Sequence, residues 1–144
     1  MALIFVDTDH GLKNKLYNAV KAGKSAATAE GKMQQVVKRV IDKAAGFTTK
    51  KSDQAKGYAI RLKVSKVEIV GHQTKCSLSG SIVRYPPTVT KKGDKGEEMV
   101  STSMTGSATA DGTSEGSLLD CIEAIAESLV SKSVPIMKAD YLKR

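Results

Sequence analysis

The chain has 144 residues, which suits a single domain with one core, and we expect residues 1–144 to form one unit. Hydrophobic residues make up 40% and charged residues 26%, which excludes disorder of the weakly apolar, highly charged kind. Aromatic residues contribute only 4% and tryptophan is absent, so a platform for stacking single-stranded bases is not expected.

The net charge of +8 is concentrated in one part of the chain. Residues 13–66, the basic half, carry 14 Lys and Arg against 3 Asp and Glu, whereas residues 67–144 carry 9 basic and 10 acidic residues. A cationic surface of this kind attracts polyanions, anionic lipid or an acidic protein. A solvated, lysine-rich surface that maintains solubility is the simpler interpretation.

The amino terminus and the cysteines provide the evidence on the cellular compartment. Residues 1–6 are apolar but too short for a secretory signal, and no stretch is long enough for a transmembrane segment. As written, the sequence predicts a cytoplasmic protein, although a chain whose signal had been removed would look the same. Cys76 and Cys121 allow at most one internal disulfide.

The first half of the chain predicts one strand and two helices. Residues 3–6 form a short apolar run typical of a strand, and residues 12–20 repeat apolar side chains at helical spacing. Residues 23–31 are typical of a loop. Residues 33–44 carry the clearest amphipathic stripe, with Gly46 as the helix stop.

Three strands are predicted next. Apolar side chains alternate over residues 58–69, and a phase change predicts a bulge near Ser65. Residues 76–82 alternate as a second strand, and the segment Tyr85-Pro86-Pro87 ends it. Residues 90–96 are a charged hairpin loop, and residues 99–110 form a third strand with one face of Ser and Thr.

The last predicted element is a helix with an apolar stripe over residues 118–129. Ser117 and Asp120 resemble a capping box at its start, and Pro135 ends it. The order is therefore β-α-α-β-β-β-α, an α+β fold. We expect a three- to four-stranded, mainly antiparallel sheet with the helices packed on one face.

Two motifs suggest chemistry without completing it. Asp7 and Asp9 follow a strand, as in phosphatases of the haloacid dehalogenase type, but a parallel sheet and a later acidic pair are not evident. His72 and Cys76 lie four residues apart, without the paired spacing of a zinc site. We therefore predict no catalytic residues, no metal and no cofactor, so the protein is not expected to be an enzyme.

Two charged surfaces are the candidate binding sites. The acidic set lies on the last helix and can pair with the basic set within one chain or between copies. With a single Arg, nucleic-acid binding by the basic set would be nonspecific and salt-sensitive. The basic set is Lys13, Lys15, Lys21, Lys24, Lys32, Lys38, Arg39 and Lys43; the acidic set is Glu115, Asp120, Glu123 and Glu127.

A wider pattern covers about residues 33–137. A helix ending in AAGFTT precedes GYAIRLKVSKVEI, followed by TKCSLSGSIVRYPP and LLDCIEAIAESLVSKSVP. This resembles small bacterial envelope domains, as in penicillin-binding-protein activator lipoproteins and the amino-terminal domain of TolB. The resemblance implies a nonenzymatic domain that docks other proteins, and a periplasmic or secreted location if a signal was removed. The lipoprotein cysteine is absent.

The sequence thus predicts a noncatalytic binding or assembly module that engages protein partners or itself. The alternative is a nonspecific binder of nucleic acid or another polyanion that uses the basic helices. Cys76 and Cys121 both fall on apolar stripes, so they are either two small buried side chains or, in an oxidising compartment, a strand-to-helix disulfide.

Overall fold

The computed structural model describes residues 3–8, 17–51, 56–85, 88–89, 95–96 and 99–144. These residues form short and long β-strands, one 3-10 helix and two α-helices. In chain order they are β1 (Ile4–Asp7), β2 (Tyr17–Asn18), a 3-10 helix (Val20–Ser25), α1 (Ala26–Lys43), β3 (Phe47–Thr48), β4 (Gly57–Val70), β5 (Gln73–Tyr85), β6 (Thr88–Val89), β7 (Lys95–Gly96), β8 (Met99–Asp111) and α2 (Glu115–Tyr141).

The protein is α+β, with a six-stranded mixed sheet and the two α-helices packed against it, which confirms the predicted class. The three long strands β4, β5 and β8 form the expected antiparallel meander. The short strands add a parallel part, because β1 pairs with β3 and β4, and β2 pairs with β4 farther along. The sheet is therefore wider than the sequence predicted.

The long strands have one buried face and one polar face. On β4 the side chains of Tyr58, Ile60, Leu62 and Val64 are buried and face the helices. The pairing of β4 with β5 shifts register between Val64 and Lys66, which confirms the predicted bulge near Ser65. The bulge keeps apolar residues on the helix side, because one extra residue reverses the alternation.

The amino-terminal helical prediction is wrong where it can be compared. Residues 17–18 form β2, and a 3-10 helix takes residues 20–25; the rest of the predicted helix, residues 12–16, lies outside the described residues. The edge of β4 at Leu62 and Lys63 offers backbone hydrogen bonds, and β2 pairs with it. Tertiary pairing has overridden a short helical periodicity.

Helix α1 is longer than predicted, because residues 26–31 are helical and not a loop. Ala29 is fully buried and extends the apolar stripe of Met33, Val36 and Val37 toward the amino terminus. Alanine is the best helix former, so the segment gains packing at little cost in conformational entropy. At the other end the helix stops earlier than the predicted stop at Gly46, because Ala44 is its extended C-cap; Gly46, with φ of 85°, lies in the turn that follows.

Helix α2 differs from the prediction at both ends. Its N-cap is Ser114, whose hydroxyl accepts a hydrogen bond from the Ser117 backbone N–H at 3.2 Å, and not Ser117. Pro135 lies inside the helix, which continues to Tyr141. Proline removes the hydrogen bond to Ser131, but both residues are exposed and water can satisfy that carbonyl.

Of the charged loop predicted at residues 90–96, residues 90–94 lie outside the described residues, as do Pro86-Pro87, and residues 95–96 form β7. The segments on either side of the loop, β6 and β7, pair antiparallel, as a hairpin requires. The buried side chains of β1, α1, β4, β5, β8 and α2 form one hydrophobic cluster between the helices and the sheet. Among the described residues, no helix is long and apolar enough to cross a bilayer.

Candidate functional site

The two charged sets of the sequence meet on the outer side of the helix pair. Arg39 on α1 donates from Nη1 to Glu123 Oε1 at 3.1 Å and from Nη2 to Glu127 Oε2 at 3.0 Å. Lys32 Nζ lies 3.4 Å from Glu123 Oε2. The hydrogen bond from Arg39 holds the pKa of Glu123 below its ordinary value, against the opposing effect of burial.

The described contacts between the two sets are made within one chain, which is one of the two arrangements that the sequence allowed. The ion pairs are partly solvated, with Arg39 and Glu127 side chains 41% and 57% exposed. Pairs of this kind contribute little stability, typically below ~1 kcal/mol, so they orient the helices more than they hold them.

The remaining members of the basic set are not gathered into one site. Lys21 and Lys24 are exposed on the 3-10 helix, and Lys38 and Lys43 are exposed on α1. Lys13 and Lys15 lie outside the described residues. Of the acidic set, Glu115 and Asp120 are exposed near the amino end of α2, and the charge of Glu115, in the first turn, suits the helix dipole.

The cysteines predicted on core faces are joined in the structure. Cys76 on β5 and Cys121 on α2 form a disulfide across 45 positions of sequence, and both are buried. The bond fixes α2 to the sheet. It also removes Cys76 as a partner for His72 in a zinc site, since a disulfide sulfur is not a thiolate ligand.

The residues considered for catalysis are dispersed. Asp7 is buried at the end of β1, His72 is exposed in the turn between β4 and β5, and Asp9 lies outside the described residues. Within the described part of the chain, no three His, Cys, Asp or Glu side chains come together as a metal site.

A polar cluster that sequence reasoning missed joins the carboxyl end of α2 to the sheet. Tyr58 Oη donates to Asp140 Oδ2 at 2.6 Å, and Arg84 donates from Nε to Oδ2 at 3.1 Å and from Nη2 to Oδ1 at 2.8 Å. Arg144 donates to the Gly57 carbonyl at 2.9 Å, and its guanidinium lies 5.4 Å from the centre of the Tyr58 ring.

The cluster changes the acidity of its members. Burial, and next the hydrogen bond to Asp140, raise the pKa of Tyr58 to about 12. The hydrogen bonds from Arg84 hold the pKa of Asp140 below its ordinary value. Both pKa shifts favour the protonation states that make these contacts at neutral pH. The cluster therefore holds the carboxyl end of α2 against the sheet. The sequence signal that could have indicated this cluster was one Tyr and one Arg, Tyr58 and Arg84, which lie opposite each other on two paired strands.

A groove of about 330 Å³ runs between the two helices near the carboxyl end of α1. Its floor includes Val40, Ala44 and Val134, and its rim carries Arg39 and Glu127. The groove is shallow and its rim charges already pair with each other, so it offers no converging reactive groups.

The edge of the sheet is a second feature with binding potential. Strand β8 is the outermost strand of the described sheet, and no described strand pairs with its far side. It spans 13 residues, from Met99 to Asp111. Its side chains at Thr105, Ser107 and Thr109 are exposed. Such an edge presents a row of backbone donors and acceptors.

Comparison with known proteins finds no match among protein-family profiles or among curated proteins. Solved structures give weak likenesses. A candidate lipoprotein from Caulobacter crescentus CB15 is 14% identical, with 90% of this chain and 93% of that chain covered and a TM-score of 0.46.

Two further structures are similar at a lower level. A dodecamer of a PelC variant from Paraburkholderia phytofirmans is 12% identical, with 95% and 91% of the two chains covered and a TM-score of 0.42. A minor lipoprotein from Acinetobacter baumannii is 10% identical, with 90% and 91% covered and a TM-score of 0.39. Likenesses at these values define neither a family nor an activity. The resemblance to activator lipoproteins and TolB therefore stays a prediction.

Proposed function

We propose that this protein is a noncatalytic assembly module whose edge strand β8 pairs with another protein chain, in the simplest case a second copy. The observation that carries the proposal is the 13-residue edge of β8, with which no other described strand pairs on its far side. Strand addition to such an edge uses main-chain hydrogen bonds for affinity and side chains for selectivity.

The composition of β8 supports this role. Natural edge strands are usually kept from pairing by Lys, Pro or short length. Residues 99–111 contain no Pro, Lys, Arg or Glu, and their only charge is Asp111 at the end. In an antiparallel pair of two β8 strands, hydroxyl and small side chains would therefore oppose each other without like-charge repulsion.

The ion pairs between α1 and α2 make the competing mode of assembly less suitable. Head-to-tail pairing of copies needs Glu123 and Glu127 to be available, but Arg39 and Lys32 already contact them within the chain. We therefore expect association to depend on backbone hydrogen bonds at β8 and to persist when salt screens surface charges.

The disulfide supports a location outside the reducing cytosol. Disulfides form and persist in oxidising compartments and are rare in cytosolic proteins. The bond between Cys76 and Cys121 joins two separate elements of the core. We therefore propose an extracytoplasmic, envelope or secreted location in place of the cytoplasmic one that the sequence as written predicted.

Size-exclusion chromatography with light scattering, at low and at high salt, tests the assembly. The wild type should exceed the mass of one chain in both conditions. The variant Thr105→Lys/Thr109→Lys should be monomeric, because like charges then face each other across the paired edges. Its matched control, Thr28→Lys/Gln35→Lys, adds the same charge to exposed positions of α1 and should assemble like the wild type.

A wild type that is strictly monomeric in both salt conditions would refute self-association. Assembly that dissolves in high salt and is unaffected by the β8 variant would move the interface to the charged helices. Nonspecific polyanion binding by the basic helices stays the alternative function, and exposed Lys21, Lys24 and Lys38 are the residues to test for it.

A further inference from the structure

The face of the sheet that points away from the helices carries a group of exposed cations. Lys63 and Lys66 on β4 and Lys75 on β5 are exposed, and Glu68, opposite Lys75, is partly buried. Lys66 Nζ lies 3.7 Å from Glu68 Oε2. With Asp111, which is exposed beyond Thr109 on the same face of β8, three Lys stand against two acidic residues, so the net charge of this part of the surface is positive.

Hydroxyl side chains continue the same face across β5 and β8. Ser79 lies between Lys63 and Thr105 in the paired register, and Ser77 lies between Lys66 and Ser107. The Ser77 and Ser107 hydroxyls are 2.8 Å apart and hydrogen bonded. Thr109, opposite Lys75, completes the set.

We name the residues of this face the outer-face array: Lys63, Lys66, Glu68, Lys75, Ser77, Ser79, Thr105, Ser107 and Thr109. Its members stand in three rows across three strands. Neighbouring strands lie about 4.8 Å apart, and alternate residues on one strand lie about 6.8 Å apart. Lys63 and Lys66 lie on β4 and Lys75 lies on the middle strand β5, while hydroxyls occupy the other positions of the array on β5 and β8.

We propose that the outer-face array binds an acidic polysaccharide, a chain of sugar units that carry carboxylates. The lysines would contact the carboxylates, while the Ser and Thr hydroxyls would exchange hydrogen bonds with the ring hydroxyls. Lysine is a flexible point charge, which suits carboxylates at varied positions along a polymer. The cations of the array lie on β4 and β5, so its charge does not depend on pairing at β8, whereas Thr105, Ser107 and Thr109 belong to that strand.

Other polyanions fit the array less well. A membrane-binding surface inserts apolar side chains into the headgroup region, and the array contains none. Single-stranded nucleic acid is held by aromatic stacking, and the array has no aromatic residue. Base recognition in nucleic acids generally relies on arginine, whereas the exposed cations of the array are lysines; Arg61, the next residue of this face on β4, is partly buried. The disulfide supports a compartment where cell-surface or secreted polysaccharides are the polyanions encountered.

The array is also better placed than the helices to bind a polyanion. Arg39 and Lys32 on α1 make ion pairs with α2, and the exposed lysines of the helical surface are divided between the 3-10 helix and α1. By contrast, the lysines of the array are brought together by strand register. Three exposed lysines of the helical surface can therefore serve as a control for three lysines of the array.

The experiment is titration calorimetry with polygalacturonate, a carboxylate polysaccharide, at low ionic strength. The variant Lys63→Gln/Lys66→Gln/Lys75→Gln should bind about tenfold more weakly than the wild type. The control Lys21→Gln/Lys24→Gln/Lys38→Gln makes the same charge change on the helical surface and should stay within about twofold. All six positions are exposed, and matching circular dichroism and melting curves verify the fold.

A second variant separates hydroxyl contacts from charge. Ser79→Ala/Thr105→Ala keeps every charge and should weaken binding about threefold. The proposal is overturned if the wild type does not bind polygalacturonate, or if the helical control loses as much affinity as the array variant. It is equally overturned if duplex DNA, or vesicles of phosphatidylglycerol and phosphatidylcholine, bind more tightly and with the same dependence on Lys63, Lys66 and Lys75.

Discussion

Asp140 on α2 and Arg84 on β5 are 56 residues apart in sequence and meet through two hydrogen bonds of 2.8 and 3.1 Å. Tyr58, which pairs with Arg84 across the β4–β5 ladder, donates to the same carboxylate at 2.6 Å. This contact holds the part of α2 that follows Pro135 against the sheet.

The substitution Asp140→Asn should lower the free energy of unfolding at neutral pH by about 1.5–3 kcal/mol, because it removes charged hydrogen bonds from a mostly buried site. Since the pKa of Asp140 is lowered in the fold, its contribution is present above the unfolded pKa of about 3.9 and is lost as pH falls through the folded pKa. Denaturant unfolding at neutral and acid pH measures this. Equal acid sensitivity in wild type and variant would contradict it.

Tyr58 should make the fold sensitive to alkali. Its folded pKa of about 12 lies above its ordinary value of 10.0, so the stabilisation is complete below the unfolded pKa and is lost as pH rises between these values. Tyr58→Phe should remove this part of the alkaline loss while keeping the ring packed. Unfolding measured along an alkaline pH series tests it, with Tyr141→Phe as the control; an unchanged profile in Tyr58→Phe would rule it out.

Loss of the disulfide should cost stability mainly through the unfolded chain. Closing a loop of 45 residues corresponds to about 4 kcal/mol of loop-closure entropy, so Cys76→Ala/Cys121→Ala should be destabilised by up to that amount. Wild type treated with a reductant should show a similar loss. Thiol titration of the unfolded, unreduced protein is the direct measurement, and two free thiols would show that the bond is absent.

Two glycines should respond in opposite directions to substitution by Ala. A Cβ at Gly57 would lie 1.7 Å from the Phe5 carbonyl oxygen, so Gly57→Ala should separate β1 from β4 and cost about 3 kcal/mol or more. Gly31 is inside α1, where an added methyl group would have nothing within 4 Å, and Gly31→Ala should stabilise by about 0.5–1 kcal/mol. Thermal unfolding of both variants tests these two effects. A Gly57→Ala variant as stable as the wild type would refute the close approach of β1 to β4.

Replacing Pro135 should stabilise α2. Proline within a helix costs about 3 kcal/mol through its missing donor and its ring, although part of this is offset because proline also restricts the unfolded chain. We expect Pro135→Ala to raise the free energy of unfolding by about 1–2 kcal/mol. Denaturant titration measures the change, and a destabilised variant would show that the proline geometry itself is required by the packing of Met137 and Asp140.

Local pattern was sufficient where an element buries one face along its own length. The stripe of α1, the alternation of β4 with its bulge at Ser65, and the apolar face of α2 were all readable, because periods of 3.6 and 2 reflect burial directly. The apolar placement of Cys76 and Cys121 also came from these periods, and left a disulfide as one of two options.

Elements that depend on partners distant in sequence could not be predicted from the sequence. Strands β2 and β3 have two residues each and exist because neighbouring strands offer them hydrogen bonds. The passage of α2 through Pro135 depends on Met137 in the core and on Arg84 and Tyr58, which lie on other strands.

The sequence by itself determined the α+β class, the two apolar helices and the three-stranded meander, since each needs only residues near one another in the chain. Tertiary structure alone decided that Arg39 pairs with Glu123 and Glu127 within one chain, and that Lys63, Lys66 and Lys75 stand beside a hydroxyl surface. Strand register and helix packing bring together residues far apart in sequence, and no local period encodes that proximity.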